Sequence, residues 1–193
     1  MPLKTLTALT IFGGQWISNP GPIGAAVPSS RALARRMASL LPANPRGYVI
    51  ELGAGTGAIT EALLEHGLPP ENLILVERSP VLVRHLRERF PKLCVLAGDA
   101  VRLSTLLFDH LEIPRGSVSH IVSSLPLRSL PKWTVARITR EVRRVLPPDG
   151  QLIQYTYDLR RKGNRALAQF SREASSIVWM NLPPARVDSF QPR

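Results

Sequence analysis

Residues 51–57 read Glu-Leu-Gly-Ala-Gly-Thr-Gly, three glycines at alternate positions with a carboxylate two residues before the first. Glycines let a backbone turn tightly and approach a ligand that any Cβ would obstruct. A loop built for pyrophosphate carries Gly-x-Gly-x-x-Gly ahead of a helix N-terminus. Gly53, Gly55 and Gly57 depart from that spacing, and Glu51 makes the neighbourhood anionic. A ligand with positive charge and no phosphate suits such a loop; S-adenosylmethionine (AdoMet), with its ammonium and sulfonium, is one. Two further acids recur: Glu77, 20 residues past Gly57, and Asp99 within Gly98-Asp99-Ala100. Glu77 is placed to accept from both ribose hydroxyls, and Asp99 from the adenine amino group. Each has a plainer reading. Glu51 can cap the next helix, Glu77 can pair with Arg78 or Arg31, and Asp99 can start a helix. A lone glycine loop is weak evidence, whereas the loop with three acids is strong evidence of a cofactor site.

The elements that must carry these residues follow from apolar periodicity. Short apolar runs at 48–52, 73–77, 93–97, 120–123 and 151–157 predict strands. Amphipathic stretches at 58–66, 80–90 and 132–146 predict helices, with a weaker one at 101–110. Strands alternating with helices at this spacing predict a parallel sheet covered on both faces, with its ligand beyond the carboxyl ends of the strands. Each of the three acids stands at such an end. Residues 27–41 predict an earlier helix capped by Ser29 or Ser30, with Leu33, Met37, Leu40 and Leu41 on one face. At the far end, 176–180 and 186–190 flank Asn181-Leu-Pro-Pro184 and predict two more strands, an antiparallel edge.

At 193 residues the chain is the size of one α/β domain. Its 18 prolines, about twice the average usage, fall mostly at element boundaries. One cysteine, Cys94, excludes an intrachain disulfide and offers no metal cluster, so it reads as a small buried hydrophobe. No run approaches the ~20 apolar residues of a membrane span, and the first 18 residues lack the parts of a secretory signal. Net charge is +11, unevenly placed: residues 111–193 hold 14 Lys/Arg against 6 Asp/Glu. That excess points to a polyanionic surface, nucleic acid or acidic membrane.

The cofactor constellation resembles the Rossmann-like class I methyltransferases from Tyr48 to Tyr157. The resemblance implies a mostly parallel seven-stranded sheet with helices on both faces and an antiparallel C-terminal edge. It also implies a cofactor shell of Glu51, Gly53, Ala54, Gly55, Gly57, Glu77, Arg78, Gly98, Asp99 and Ala100, bordered by Ser123 and Ser30. The core is similar to the ribosomal RNA dimethyladenosine family. That family carries Asn-(Ile/Leu)-Pro-(Tyr/Phe) after the fourth strand, to hold and stack a flipped base. Here the sequence is Ser123-Ser124-Leu125-Pro126-Leu127, without the amide or the ring, which argues against a nucleobase acceptor.

Three other stretches, 12–20, 24–33 and 179–187, resemble bacterial phospholipid N-methyltransferases, which convert phosphatidylethanolamine towards phosphatidylcholine. Ser-Leu-Pro-Leu and Gln154-Tyr-Thr-Tyr157 fit the same family. The resemblance implies a peripheral enzyme on the inner face of the bacterial cytoplasmic membrane. Residues 1–28 would be a membrane- or cofactor-covering segment and 29–193 the catalytic domain, acting as a monomer without metal or nucleic acid. Leu3, Leu6, Ile11, Phe12, Trp16 and Ile17 would form an interfacial face, although Lys4 is its only cation and packing over the core is an equal reading. The cations Lys132, Arg137, Arg140, Arg143 and Arg144, with Arg160, Arg161, Lys162 and Arg165, would meet anionic lipid. A solvated helix face is the fair alternative for Arg137 to Arg144.

Methyl transfer to an amine is an in-line displacement that depends on positioning. Tyr155 and Tyr157, two apart on a strand, share one face. Their hydroxyls would orient the amine, with Ser124 and Leu125 beside it, and their rings would favour the ammonium product. Asp158 or water would take the proton. Two other readings stay open: an RNA adenine methyltransferase, and a non-catalytic lipid- or RNA-binding protein on the same fold.

Overall fold

The computed structural model describes residues 29–42, 44–160 and 167–193. The expected interfacial face at residues 1–28, and Arg161, Lys162 and Arg165, lie outside the described residues. Helix α1 (Arg31–Ala38) starts at Ser30, whose hydroxyl accepts from the Leu33 amide. Strand β1 (Tyr48–Leu52), helix α2 (Ala58–Glu65), strand β2 (Leu73–Glu77), helix α3 (Pro80–Arg89) and strand β3 (Cys94–Ala97) follow. Beyond them come β4 (Val118–Ser123), α4 (Lys132–Val145), β5 (Gln151–Thr156), β6 (Phe170–Val178) and β7 (Ala185–Pro192).

The strands form one seven-stranded sheet in the order β3-β2-β1-β4-β5-β7-β6. The first five are parallel, β7 runs antiparallel to β5, and β6 runs antiparallel to β7. Successive side chains of a strand point to opposite faces. Val49, Leu73 and Leu75 therefore pack on Leu33, Met37, Leu63 and Leu86, on the face covered by α1, α2 and α3. Ile50, Leu52, Ile74 and Val76 pack on Leu103, Leu107, Ile138 and Val142 on the other. Glu51 and Glu77 share the parity of Val49 and Leu75, which turns both carboxyls toward the first face.

Three details differ from the expectation. Residues 101–110 form a 3-10 turn (Ala100–Arg102) and a π-helical turn (Thr105–His110) in place of an α-helix. The buried Glu141 carboxylate of α4 takes both the amide and the hydroxyl of Ser104, at 2.8 and 2.6 Å, and so diverts the amide that would continue the ladder. β6 begins at Phe170 rather than 176, through Ser-Arg-Glu-Ala-Ser-Ser, a polar run whose pairing on an edge needs no apolar signal. Trp179 and Met180 consequently fall in the turn. Cys94 is half-buried, packed on the second cluster, and burial raises its thiol pKa.

Arg137, Arg140, Arg143 and Arg144 line the solvent side of α4, opposite Val135, Ile138 and Val142. Two of them have partners: Arg143 donates to the Arg193 carbonyl and Arg144 to Glu141.

Candidate functional site

Two adjoining cavities open at the carboxyl ends of the parallel strands. The first, about 310 Å³, is floored by the loop after β1. Gly53, Gly55 and Gly57 all adopt positive φ there, at 71°, 58° and 84°. Only glycine takes such angles without strain. At Gly57 an added Cβ would also lie 2.4 Å from the Phe90 ring, so that residue lets α2 begin against α3. Gly57 thus shapes the loop from behind the cavity, while Gly53, Ala54 and Gly55 face it.

Glu77 ends β2 at the cavity wall. Its two carboxylate oxygens accept from the Gly55 amide (3.1 Å) and the Ser79 amide (2.8 Å), which ties the first loop to the second. Each oxygen keeps a lone pair for the cavity. Asp99 follows β3; one oxygen caps the Val101 amide at 3.1 Å and the other faces Arg78 at 3.6 Å. Arg78, Gly98 and Ala100 complete this side.

Glu51 sits differently. It is fully buried behind the loop rather than on the cavity wall. Oε2 accepts from the Thr60 hydroxyl at 2.7 Å, and Oε1 has no hydrogen-bond partner among the described residues. Burial, with the Glu77 charge adding to it, pushes its pKa from 4.5 up to about 8 against the Thr60 hydrogen bond. An orphaned buried oxygen and an unwilling carboxylate fit a cation arriving nearby, since a positive charge would restore the ionised form. The residues present therefore fit AdoMet: a carboxyl that wants a cation, and a second carboxylate held open at the wall.

Ser30 and Ser123 do not reach the wall. Ser30 caps α1, and its amide donates to Asn181 Oδ1 at 3.1 Å; it is Ser29 that borders the cavity. Ser123 is buried, its hydroxyl taking the Leu125 amide.

The second cavity, about 280 Å³, lies between residues 124–129, the end of β5 and the start of β7. Ser124, Leu125, Pro126 and Tyr155 line both cavities, so a group held in one meets a group held in the other at these four residues. The carbonyls of Leu125 and Pro126 are already taken. Gln154 Nε2 donates to Leu125 at 3.0 Å, and Ser129 and Leu130 donate to Pro126. Neither is left for a nucleobase amine. Tyr155 and Tyr157 stand edge to face with centroids 5.6 Å apart. Burial first, then the neighbouring Tyr157, pushes the Tyr155 phenol up to about 12. It stays protonated, an orienting group and not a base.

The cavity is also more charged than the sequence motifs suggest. Asp158 accepts from the Arg160 amide and pairs with Arg128 at 2.7 Å, and these contacts, the amide foremost, lower its pKa. It is a standing negative charge and a poor proton acceptor. On β7, Arg186 and Asp188 form a buried ion pair at 3.0 Å, with Asp188 also accepting from Ser175 and Arg186 donating to the Arg160 carbonyl. Arg172 of β6 lines the same wall. Sequence reasoning missed Arg172, Arg186 and Asp188. The signal for the last two was their spacing two apart on one face of a strand, with the apolar Ala185 and Val187 on the other.

The methyltransferase domain family matches residues 49–150. An ornithine lipid N-methyltransferase of Singulisphaera acidiphila is 33% identical over 181 residues, covering 91% of this chain and 91% of that protein. Ribosomal RNA small subunit methyltransferase A of Chlorobium chlorochromatii is 32% identical over 76 residues, 39% of this chain and 28% of that one. A TehB-like SAM-dependent methyltransferase from Corynebacterium glutamicum superposes with a TM-score of 0.61 at 16% identity, over 97% of this chain and 99% of that one.

Proposed function

The chain belongs to the AdoMet-dependent methyltransferase family, and on that footing we propose that it N-methylates the head-group amine of a membrane lipid, phosphatidylethanolamine and its methylated derivatives, towards phosphatidylcholine. The observation that carries this reading is the acceptor cavity. It joins the donor cavity at Tyr155, and its walls hold both anions and cations. A zwitterionic head group with a positive amine and a negative partner complements such a wall. A flipped base would need the free carbonyl and stacking ring that residues 124–127 lack. The similarity to an ornithine lipid N-methyltransferase over 91% of both chains favours a second reading of the same class, in which the acceptor is the ornithine amine and its carboxylate replaces the phosphate.

AdoMet, when bound, would supply a methyl carbon on a sulfonium for transfer to the amine nitrogen. The chain's own residues align and neutralise. Glu77 and the glycine loop fix the donor. Tyr155 and Tyr157 direct the amine lone pair along the line of attack, and their rings stabilise the cation that results. Asp158, held ionised by the Arg160 amide and by Arg128, attracts the ammonium form of the substrate, and the proton leaves to water. The test is methyl incorporation from labelled AdoMet into vesicles of phosphatidylethanolamine or ornithine lipid, with RNA as a third arm. Label in neither lipid refutes the proposal, and label in RNA alone replaces it.

A further inference from the structure

Among the described residues the exposed large apolar side chains are Val81, Trp133, Ile177, Trp179, Met180 and Leu182. All six stand at the end of the molecule where the parallel strands finish. Val81 lies in the first turn of α3, just past β2, and Trp133 is the second residue of α4 after β4. Ile177 is near the end of β6, and Trp179, Met180 and Leu182 belong to the β6–β7 turn. Its place is fixed by register, because Thr156 at the end of β5 pairs with Arg186, and Val178 pairs with Ala185 beside it. At the tip, Trp179, Met180 and Leu182 are 69%, 84% and 85% exposed.

We propose that this edge, led by the β6–β7 tip, is the surface that docks on an anionic lipid bilayer. The apolar tip enters the interface and brings the mouth of the acceptor cavity onto the membrane. Arg31, Arg78, Arg128, Lys132 and Arg160 are exposed on the same edge. Its half-buried carboxylates, Asp99 and Asp158, face two of them. Each cation close to an anionic leaflet strengthens binding about fivefold, and tryptophan is a residue of the water–lipid boundary. A polyanion such as RNA would use the cations, but nothing in it rewards an exposed methionine and leucine; hydrocarbon does. The acceptor cavity ends at Arg186, two pairs of residues from the tip, so the depth of the tip sets how far a head group must rise to reach Tyr155.

This inference rests on the lipid reading of the acceptor, yet vesicle binding tests it without methyl transfer. Trp179→Ser, Met180→Ser and Leu182→Ser together should weaken flotation with phosphatidylcholine–phosphatidylglycerol vesicles at least about tenfold, with AdoMet affinity by calorimetry unchanged. A second measurement keeps the tip intact. Trp16→Phe with Trp133→Phe leaves Trp179 as the one tryptophan of three, and its emission should shift to the blue on these vesicles and be quenched by bromine-labelled acyl chains. The proposal is overturned if the triple variant floats like the unmodified protein, or if Trp179 emission neither shifts nor is quenched. It is equally overturned if the triple variant loses self-association or RNA binding while still floating, which assigns the tip to a second copy or to nucleic acid. A protein that docks but methylates no lipid would refute the acceptor reading alone. One that methylates micellar lipid without docking would refute the surface alone.

Discussion

Replacing Glu51 by glutamine should remove the fall in stability that the unmodified protein shows as pH rises from about 5 to about 8. With its pKa raised from 4.5 to about 8, the folded state keeps a proton that the unfolded chain has released. Below about pH 4.5 both states are protonated and the folded form has its full advantage. Stability then falls as pH rises through the interval to about 8. At about 1.4 kcal/mol for each pH unit, the total approaches 4 to 5 kcal/mol, an upper value because water reaching Oε1 would narrow the gap. Glutamine keeps an oxygen for the Thr60 hydroxyl and carries no titrating proton. Urea unfolding without AdoMet, at a series of values from about pH 5 to 8, should show a midpoint that falls in the unmodified protein relative to Glu51→Gln, which has lost that fall. A second arm follows from the same charge: the cationic cofactor favours the carboxylate, so binding near pH 7 should release a proton, read by calorimetry in buffers of different ionisation enthalpy. Identical pH slopes in both proteins, or no proton release on binding, would refute the reasoning.

Glu77→Ala removes the acceptor of two backbone amides as well as the wall carboxylate; calorimetry should show AdoMet affinity falling by about 3 kcal/mol, and an unchanged Kd would remove Glu77 from the site. Tyr155→Phe should lower kcat by up to about a hundredfold through lost orientation, and the unmodified enzyme should show no loss from phenol ionisation below about pH 10, given a pKa near 12. Gly57→Ala forces a side chain into φ 84° and against Phe90, at a cost of about 2 to 4 kcal/mol visible as a lowered Tm. Arg186→Ala leaves Asp188 buried without its cation, costing about 3 to 5 kcal/mol; Arg186→Met with Asp188→Leu should recover the denaturation midpoint but not acceptor turnover.

The donor half of the site was legible because its logic is local. Gly53 to Gly57 had to turn, and Glu77 and Asp99 fell at strand ends that apolar runs mark plainly. Sequence could not say which side of the loop Glu51 would occupy. Strand parity buried it with Val49, and its fit to a cation rests on the orphaned Oε1, which only the structure reveals. The acceptor half is made by strand pairing across long separations. Tyr155 and Tyr157 were readable as a same-face pair, but the ion pair of Arg186 and Asp188 joins the cavity only because β7 lies beside β5. The π-helical turn was hidden for a similar reason: Glu141, 37 residues away, takes the amide of Ser104.

The sheet order has a consequence for how the protein comes into being. β7 follows β6 in the chain but lies inside it, against β5. A polypeptide emerging N-terminus first completes the glycine loop, Glu77, Asp99 and Tyr155 while the place beside β5 is still vacant. Arg186 and Asp188 arrive only after β6 has been made and the chain has turned back. The residues that line the donor cavity, the last of them Tyr155, are therefore all made before Arg186 and Asp188, which line the second cavity.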